Sequence, residues 1–252
     1  MPRILVTNDD GIYSEGLRKL ADALRPLGEV TIVAPDREQS AASHALTLNR
    51  PLRMMQLQQN EWIVDGTPTD CVNLAVLKLM KKERPNIVVS GINFGPNLGD
   101  DVTYSGTVSA AMEGTLLGVP SVAISLLGRQ GFDFAASAAF AARLARWVLE
   151  RGLPRDTLLN VNVPAPQEGR PVRGFALTRM GRRRYGDAIV EKTDPRGKKY
   201  YWIGGEELEF VDEEGTDFHA VSQGLISVTP IHLDLTNYKS FEALKALEFA
   251  WP

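Results

Sequence analysis

Cysteine is nearly absent from this chain. The one thiol, Cys71, has no second cysteine with which to close an intrachain disulfide, so nothing here requires an oxidising compartment. Long apolar runs are missing too. No stretch approaches the ~18 consecutive apolar residues of a membrane span. The opening Pro2-Arg3-Ile4-Leu5-Val6 has no basic segment leading into the apolar core of a secretion signal. These absences lead us to expect a soluble, cytoplasmic protein with no membrane partner. A basic excess is lacking as well: the formal net charge of -3 argues against a stable nucleic-acid complex. Two phosphate-binding signatures are also missing. No Gly-Lys-Ser/Thr follows the glycine-rich loop, and no Gly-x-Gly-x-x-Gly follows the first strand, which excludes a Walker loop and a dinucleotide fingerprint.

What is present reads as one large α/β unit. Hydrophobic residues make up 44% of the 252, too many for a disordered chain, and at this length a core needs no covalent staples. Ile4 to Val6 is a short, wholly apolar run, as expected of a parallel strand covered on both faces. Leu17, Leu20, Ala21 and Leu24 then repeat at helical spacing, Gly28 stops the helix, and residues 30–34 form a second apolar strand. After a polar loop at 35–45 and an extended segment or hairpin at 46–64, Thr67-Pro68-Thr69-Asp70 carries the marks of a helix start. Further strands are expected at 87–89, 121–125 and 158–163, with helices at 107–117 and 134–151. This alternation predicts a Rossmann-like, doubly wound, mostly parallel sheet. Composition changes near Pro164, so residues 1–163 are expected to form the catalytic core. Residues 164–252 are expected to form a C-terminal arm of hairpins with a returning strand near 227–229 and a terminal helix at 240–249.

Three polar clusters follow apolar strands and therefore open onto one edge of the sheet, where ligands of open parallel sheets bind. They are Asn8-Asp9-Asp10-Gly11, Pro35-Asp36-Arg37-Glu38-Gln39-Ser40 and Ser90-Gly91-Ile92-Asn93. Two adjacent carboxylates repel unless a counter-charge sits between them. A hard divalent cation such as Mg²⁺ takes oxygen ligands, one or two of them carboxylates, and Asp9 and Asp10 with Ser40 and Asn93 match that set. The acid pair also suits a plain turn with an Asp capping the next helix. The loop from Gly91 to Gly106 opens a helix of small residues, and free N–H groups there favour a phosphate, with Ser105 and Thr107 adding hydroxyls; taken alone, the same segment equally suits an ordinary Ser/Thr helix cap.

These segments resemble the SurE family, the survival-protein nucleotidases. The resemblance rests on Ile4-Leu5-Val6-Thr7-Asn8-Asp9-Asp10-Gly11, on Ala34-Pro35-Asp36 with Gln39-Ser40, and on Asp65-Gly66-Thr67-Pro68 with Asp70-Cys71-Val72. It continues in Ser90-Gly91-Ile92-Asn93, in Tyr104-Ser105-Gly106-Thr107-Val108-Ser109-Ala110-Ala111, and in Val228-Thr229-Pro230. It implies one divalent cation, Mg²⁺ or Mn²⁺, held by Asp9, Asp10, Ser40 and Asn93, and phosphate contacts near Asn97, Ser105, Gly106 and Thr107. It also implies hydrolysis of nucleoside monophosphates as a 5'-nucleotidase, with 3'-nucleotidase and polyphosphate activity as extensions, and a homodimer or homotetramer built through the C-terminal extension.

The expected chemistry is metal-assisted hydrolysis with Asp9, Asp10 and Asn8 at the reacting centre. Asp9 is the candidate base by position, and a water nucleophile is not separated from a phospho-aspartate. Two rivals stand beside it. Phosphatases with an aspartyl nucleophile use an Asp-x-Asp pair, which the adjacency of Asp9 and Asp10 speaks against. A non-catalytic nucleotide-binding module would not need two carboxylates at the phosphate. His44, His219 and His232 are better read as solvated or capping residues than as proton shuttles, and Cys71 as a core residue. Trp62, Trp147, Trp202 and Trp251 suit core or interface positions, and the sequence does not choose between these and stacking on a base. Arg182, Arg183 and Arg184, offset by Asp187, Glu191 and Asp194, read as a solvated hairpin or subunit contact.

Overall fold

The computed structural model describes residues 1–128, 133–165, 172–184, 189–203, 209–245 and 247. Among them a nine-stranded sheet runs, in spatial order, through Met54–Gln58 (β3), Glu61–Val64 (β4), Glu29–Pro35 (β2), Arg3–Thr7 (β1), Ile87–Phe94 (β5), Ser121–Leu127 (β6), Thr157–Pro164 (β7), Ile226–His232 (β13) and Phe175–Leu177 (β8). Its parallel centre is β4 (Glu61–Val64), β2 (Glu29–Pro35), β1 (Arg3–Thr7), β5 (Ile87–Phe94), β6 (Ser121–Leu127) and β7 (Thr157–Pro164). β3 (Met54–Gln58) closes one side as the antiparallel partner of β4, making the hairpin expected within 46–64.

The apolar strands have both faces covered, as their composition requires. Ile4, Val6, Ile32, Ile87 and Ile124 face α1 (Glu15–Leu24) and α4 (Ala135–Arg151), packing on Leu17, Leu20, Leu24, Ala141 and Val148. Leu5, Val33 and Val88 face the other way, onto α2 (Pro68–Leu74) and α3 (Gly106–Leu116), with Cys71, Val72 and Ala110. Cys71 is fully buried and burial pushes its thiol far up, so it serves as a small apolar residue. α2 starts as its sequence predicts: Thr67 Oγ1 accepts from the Asp70 N–H at 3.1 Å, and the Asp70 carboxylate accepts from the Thr67 N–H at 2.9 Å. The helix then loosens into one π turn at Ala75–Leu79, within which Leu77 is exposed.

The C-terminal part enters the sheet as well as leaving it. β13 (Ile226–His232) pairs antiparallel with β7, and β8 (Phe175–Leu177) lies parallel beside β13 at the edge. A division at residue 163 therefore cuts across the sheet. Outside it, β9 (Arg183–Arg184) pairs with β12 (Glu209–Phe210), and β10 (Ile189–Thr193) forms a hairpin with β11 (Lys199–Ile203). α5 (Asp217–Ser222) packs against β13 and β7. Of the helix expected at 240–249, α6 (Phe241–Leu244) is present, and residues 246 and 248–252 lie outside the described residues.

Candidate active site

From β1 the chain passes to β2 on one side and, later, to β5 on the other, so the strand order reverses at β1. Ligands of doubly wound sheets sit beyond the carboxyl ends of the strands at such a reversal. A cavity of about 630 Å³ lies there. Its walls include Asp9 and Asp10 after β1, Glu38 and Ser40 after β2, Asn93 at the end of β5, and Asn97, Tyr104 and Ser105 from the loop leading into α3. The three polar clusters predicted to converge do so.

Asp9 is buried and sits against the start of α3. A β-carbon on Gly106 would stand 2.8 Å from the Asp9 β-carbon, so only glycine lets the helix approach this closely. The helix N-terminus is also where a carboxylate is favoured by the peptide dipoles. The Thr107 hydroxyl donates to Asp9 Oδ1. Thr107 is fully buried, and neither it nor Gly106 lines the cavity. Asp10 accepts from the Phe94 N–H at 3.3 Å. Among the described residues neither aspartate has a Lys, Arg or His within ion-pairing distance. Burial holds the Asp9 carboxyl above its ordinary value; burial and then the charge of Asp9 push Asp10 up to about 7.

Asn93 Nδ2 donates to the Gly95 carbonyl at 2.8 Å, which leaves its Oδ1 as the available oxygen. Ser40 is exposed, and its hydroxyl donates to Glu38. The loop carrying it contains two left-handed non-glycine residues, Ala41 (φ 56°) and Ser43 (φ 51°). Ser43 is tied to the Tyr104 carbonyl through its N–H (3.1 Å) and to the Thr103 carbonyl through its hydroxyl (3.2 Å). Asn8 is fully buried, its side-chain amide donating to the Gly11 carbonyl (3.1 Å) and to Ser14 Oγ (2.7 Å). It shapes the turn that presents the two aspartates and does not line the cavity.

Asn97 is held from three sides. Its N–H donates to Asn162 Oδ1 at 2.8 Å, its side-chain amide donates to Ser125 Oγ at 2.7 Å, and its carbonyl accepts from the side chains of Asn160 and Asn162. These asparagines went unnoticed in the sequence, though two amides alternating within an apolar buried strand, Leu159-Asn160-Val161-Asn162-Val163, are a signal in themselves. Ser105 caps α3, its Oγ accepting from the Val108 N–H at 3.1 Å. Glu38, Asp101 and Tyr104 also line the cavity and were not singled out in advance.

Other candidates lie elsewhere. His44 meets the buried Glu113 at 2.9 Å, His219 meets Asp212 at 2.7 Å, and His232 accepts from the Asp234 N–H; none lines the cavity. Neither do Trp62, Trp147 or Trp202, and Trp251 lies outside the described residues. No helix among the described residues is long and apolar enough to cross a membrane.

The donor set fits a hard divalent cation. The carboxylates of buried Asp9 and half-buried Asp10 have no counter-charge among the described residues, and the Ser40 hydroxyl and the Asn93 amide oxygen share their cavity.

The chain is similar to known proteins over nearly its whole length. The protein described as 5'-nucleotidase SurE from Geobacter sulfurreducens is 59% identical over 98% of this chain and 94% of its own length. The one from Syntrophotalea carbinolica is 60% identical over 96% of this chain and 95% of its own. The crystal structure of the SurE protein from Aquifex aeolicus superposes with a TM-score of 0.88 at 47% identity, covering 97% of this chain and 98% of that one. With the family model described as Survival protein SurE matching residues 4–187, a span that takes in Asp9, Asp10, Ser40, Asn93 and Ser105, the chain belongs to the SurE family.

Proposed function

We propose that this chain is a metal-dependent phosphatase that hydrolyses nucleoside 5'-monophosphates to nucleoside and inorganic phosphate. The observation that carries the reading is the carboxylate pair of buried Asp9 and half-buried Asp10, which faces one cavity beside a helix N-terminus and has no Lys, Arg or His partner among the described residues. Relatives that match over nearly their whole length are described as 5'-nucleotidases. Hydrolysis of 3'-monophosphates and of polyphosphate are extensions of the same chemistry.

In this reading Asp9, Asp10, Ser40 and Asn93 hold one Mg²⁺ or Mn²⁺. When bound, such a cation offsets charge on phosphoryl oxygens and acidifies water. The side chains of the chain do the rest. Ser105, whose oxygen already accepts from the Val108 N–H, keeps its hydroxyl proton to donate to a phosphate, and Asn97 stands beside it on a fixed backbone. The first turn of α3 adds its dipole. Asp9, oriented by Thr107, is the base for an attacking water. Thr107 thus acts on phosphate through Asp9, and Asn8 acts through the turn.

The hairpin β10–β11 exposes Ile189, Tyr201, Trp202 and Ile203, and an isolated two-stranded hairpin is marginal in water, so a second copy is its natural cover. A cytoplasmic homodimer or homotetramer is the corresponding assembly.

Release of phosphate from nucleoside 5'-monophosphates, with Mg²⁺ or Mn²⁺ and with EDTA, tests the function. Release that EDTA abolishes and excess cation restores is expected. Equal release in EDTA would remove the metal from the account. Saturable nucleotide binding without release under every condition would favour the non-catalytic module.

A further inference from the structure

The phosphate end of the cavity is held from behind by the C-terminal part of the chain. Residues 97–105 form a strap between β5 and α3, with Gly99–Thr103 in a 3-10 turn, and Asn97, Asp101, Tyr104 and Ser105 on the cavity wall. Its middle is gripped by Asp217, a fully buried carboxylate at the first position of α5. Asp217 Oδ2 accepts from the Gly99 N–H at 2.8 Å, and Oδ1 accepts from the Gly181 N–H at 2.7 Å and the Phe218 N–H at 2.8 Å.

The backbones so joined are in contact. A β-carbon on Gly99, at φ +50°, would stand 2.7 Å from the Gly181 carbonyl oxygen. Further along both segments, the Arg183 N–H donates to Asp100 Oδ2 at 3.0 Å and its guanidinium to Asp101 Oδ1 at 2.8 Å. Asp217 is not needed to cap α5, because Thr216 does so by accepting from the His219 N–H. A buried carboxylate is costly unless its oxygens are satisfied, and here two of the three N–H groups that satisfy it come from other segments. The charge therefore binds the strap to Gly181, at the root of the segment that leads into β9.

We propose that Asp217 is a positioning residue for phosphoryl transfer. It fixes the strap that carries Asn97 and Ser105 and couples that strap, through Gly181 and Arg183, to the base of the C-terminal arm. The proposal rests on the phosphatase reading of the cavity.

Two variants of the full chain separate this role from simple folding. Asp217→Asn keeps the shape but turns one acceptor into an N–H₂ group facing an N–H donor. Gly99→Ala leaves Asp217 intact and presses the strap off Gly181. The readouts are hydrogen exchange of the 97–105 amides, KM for a nucleoside monophosphate, and inhibition by inorganic phosphate. Both variants are expected to exchange faster in the strap, with β1 and β2 unchanged. KM and the phosphate inhibition constant should rise roughly tenfold, while the Mn²⁺ concentration for half activation stays put. Exchange that quickens across the whole chain, or a looser strap with unaltered kinetics, would overturn the proposal. If the wild type releases no phosphate, the phosphatase reading fails by itself. Calorimetry with inorganic phosphate then decides the clamp: affinity lower in both variants upholds it, and equal affinity overturns it.

Discussion

Asp10→Asn removes a charge while keeping the outline of the side chain, so it isolates what the carboxylate does from the space it fills. Turnover is expected to fall on the order of a hundredfold or more, the scale on which such electrostatic groups act. Folding should survive, because the group sits at a loop edge on the cavity wall. Full activity of this variant at low Mn²⁺ would contradict the assignment. A pH test follows from the same residue. Without a cation, Asp10 titrates near 7 against an ordinary value of 3.8, so the folded chain binds this proton more tightly than the unfolded chain. That contribution to stability is complete below about pH 4 and disappears as pH rises through about 7. A cation competes with the proton, so Mn²⁺ should raise the thermal midpoint more at about pH 8 than at about pH 5. Equal increments at both pH values would count against the pair as cation ligands. Thr107 shows where sequence reasoning stopped. A hydroxyl in the first turn of a helix reads as a phosphate donor, but its partner depends on how closely Gly106 lets α3 approach β1, and that distance is a tertiary fact.

The strands and helices of the centre were legible because each has a periodic or wholly apolar pattern that tertiary packing then uses. Ile4 and Val6 turn to α1 and Leu5 to α2, as a run covered on both faces demands. The capping residues at Thr67 and Asp70 marked the start of α2 correctly. The loosening of α2 into a π turn was not legible, since the apolar pattern through Leu77 and Met80 continues without a break. Nor was the place of β13: its residues read as a strand, but which neighbour it pairs with, and in which direction, leaves no local trace. Within β7, Asn162→Leu would fit the buried strand yet leave the Asn97 N–H without its acceptor. A loss of about 1–3 kcal/mol of stability is expected, measured by denaturant unfolding, with a raised KM for nucleotide. An unchanged KM would show that Asn97 does not need this support.

At the scale of the whole molecule, the hairpin β10–β11 stands apart from the sheet with both strands exposed along their length. Replacing residues 189–203 with a short polar turn should reduce the assembly seen by light scattering while leaving Gly181 and Arg183 in place. A strictly monomeric wild type at micromolar concentration would contradict that account of the arm, as would a shortened chain whose assembly is unaltered. The alternation of elements revealed the sheet but gave no means of dividing residues 164–252 between its edge and the arm, because short β pieces look alike in either place. In the proposed reaction one divalent cation, held by Asp9 and Asp10, is required for phosphate release. Mn²⁺ titrated into metal-free protein, with bound ion counted by electron paramagnetic resonance and phosphate release followed in the same samples, tests it most directly. One tight Mn²⁺ per chain is expected, with activity rising in proportion to occupancy and both lost in the Asp10→Asn variant. Activity that precedes occupancy, or a tight site that persists undiminished in that variant, would contradict it.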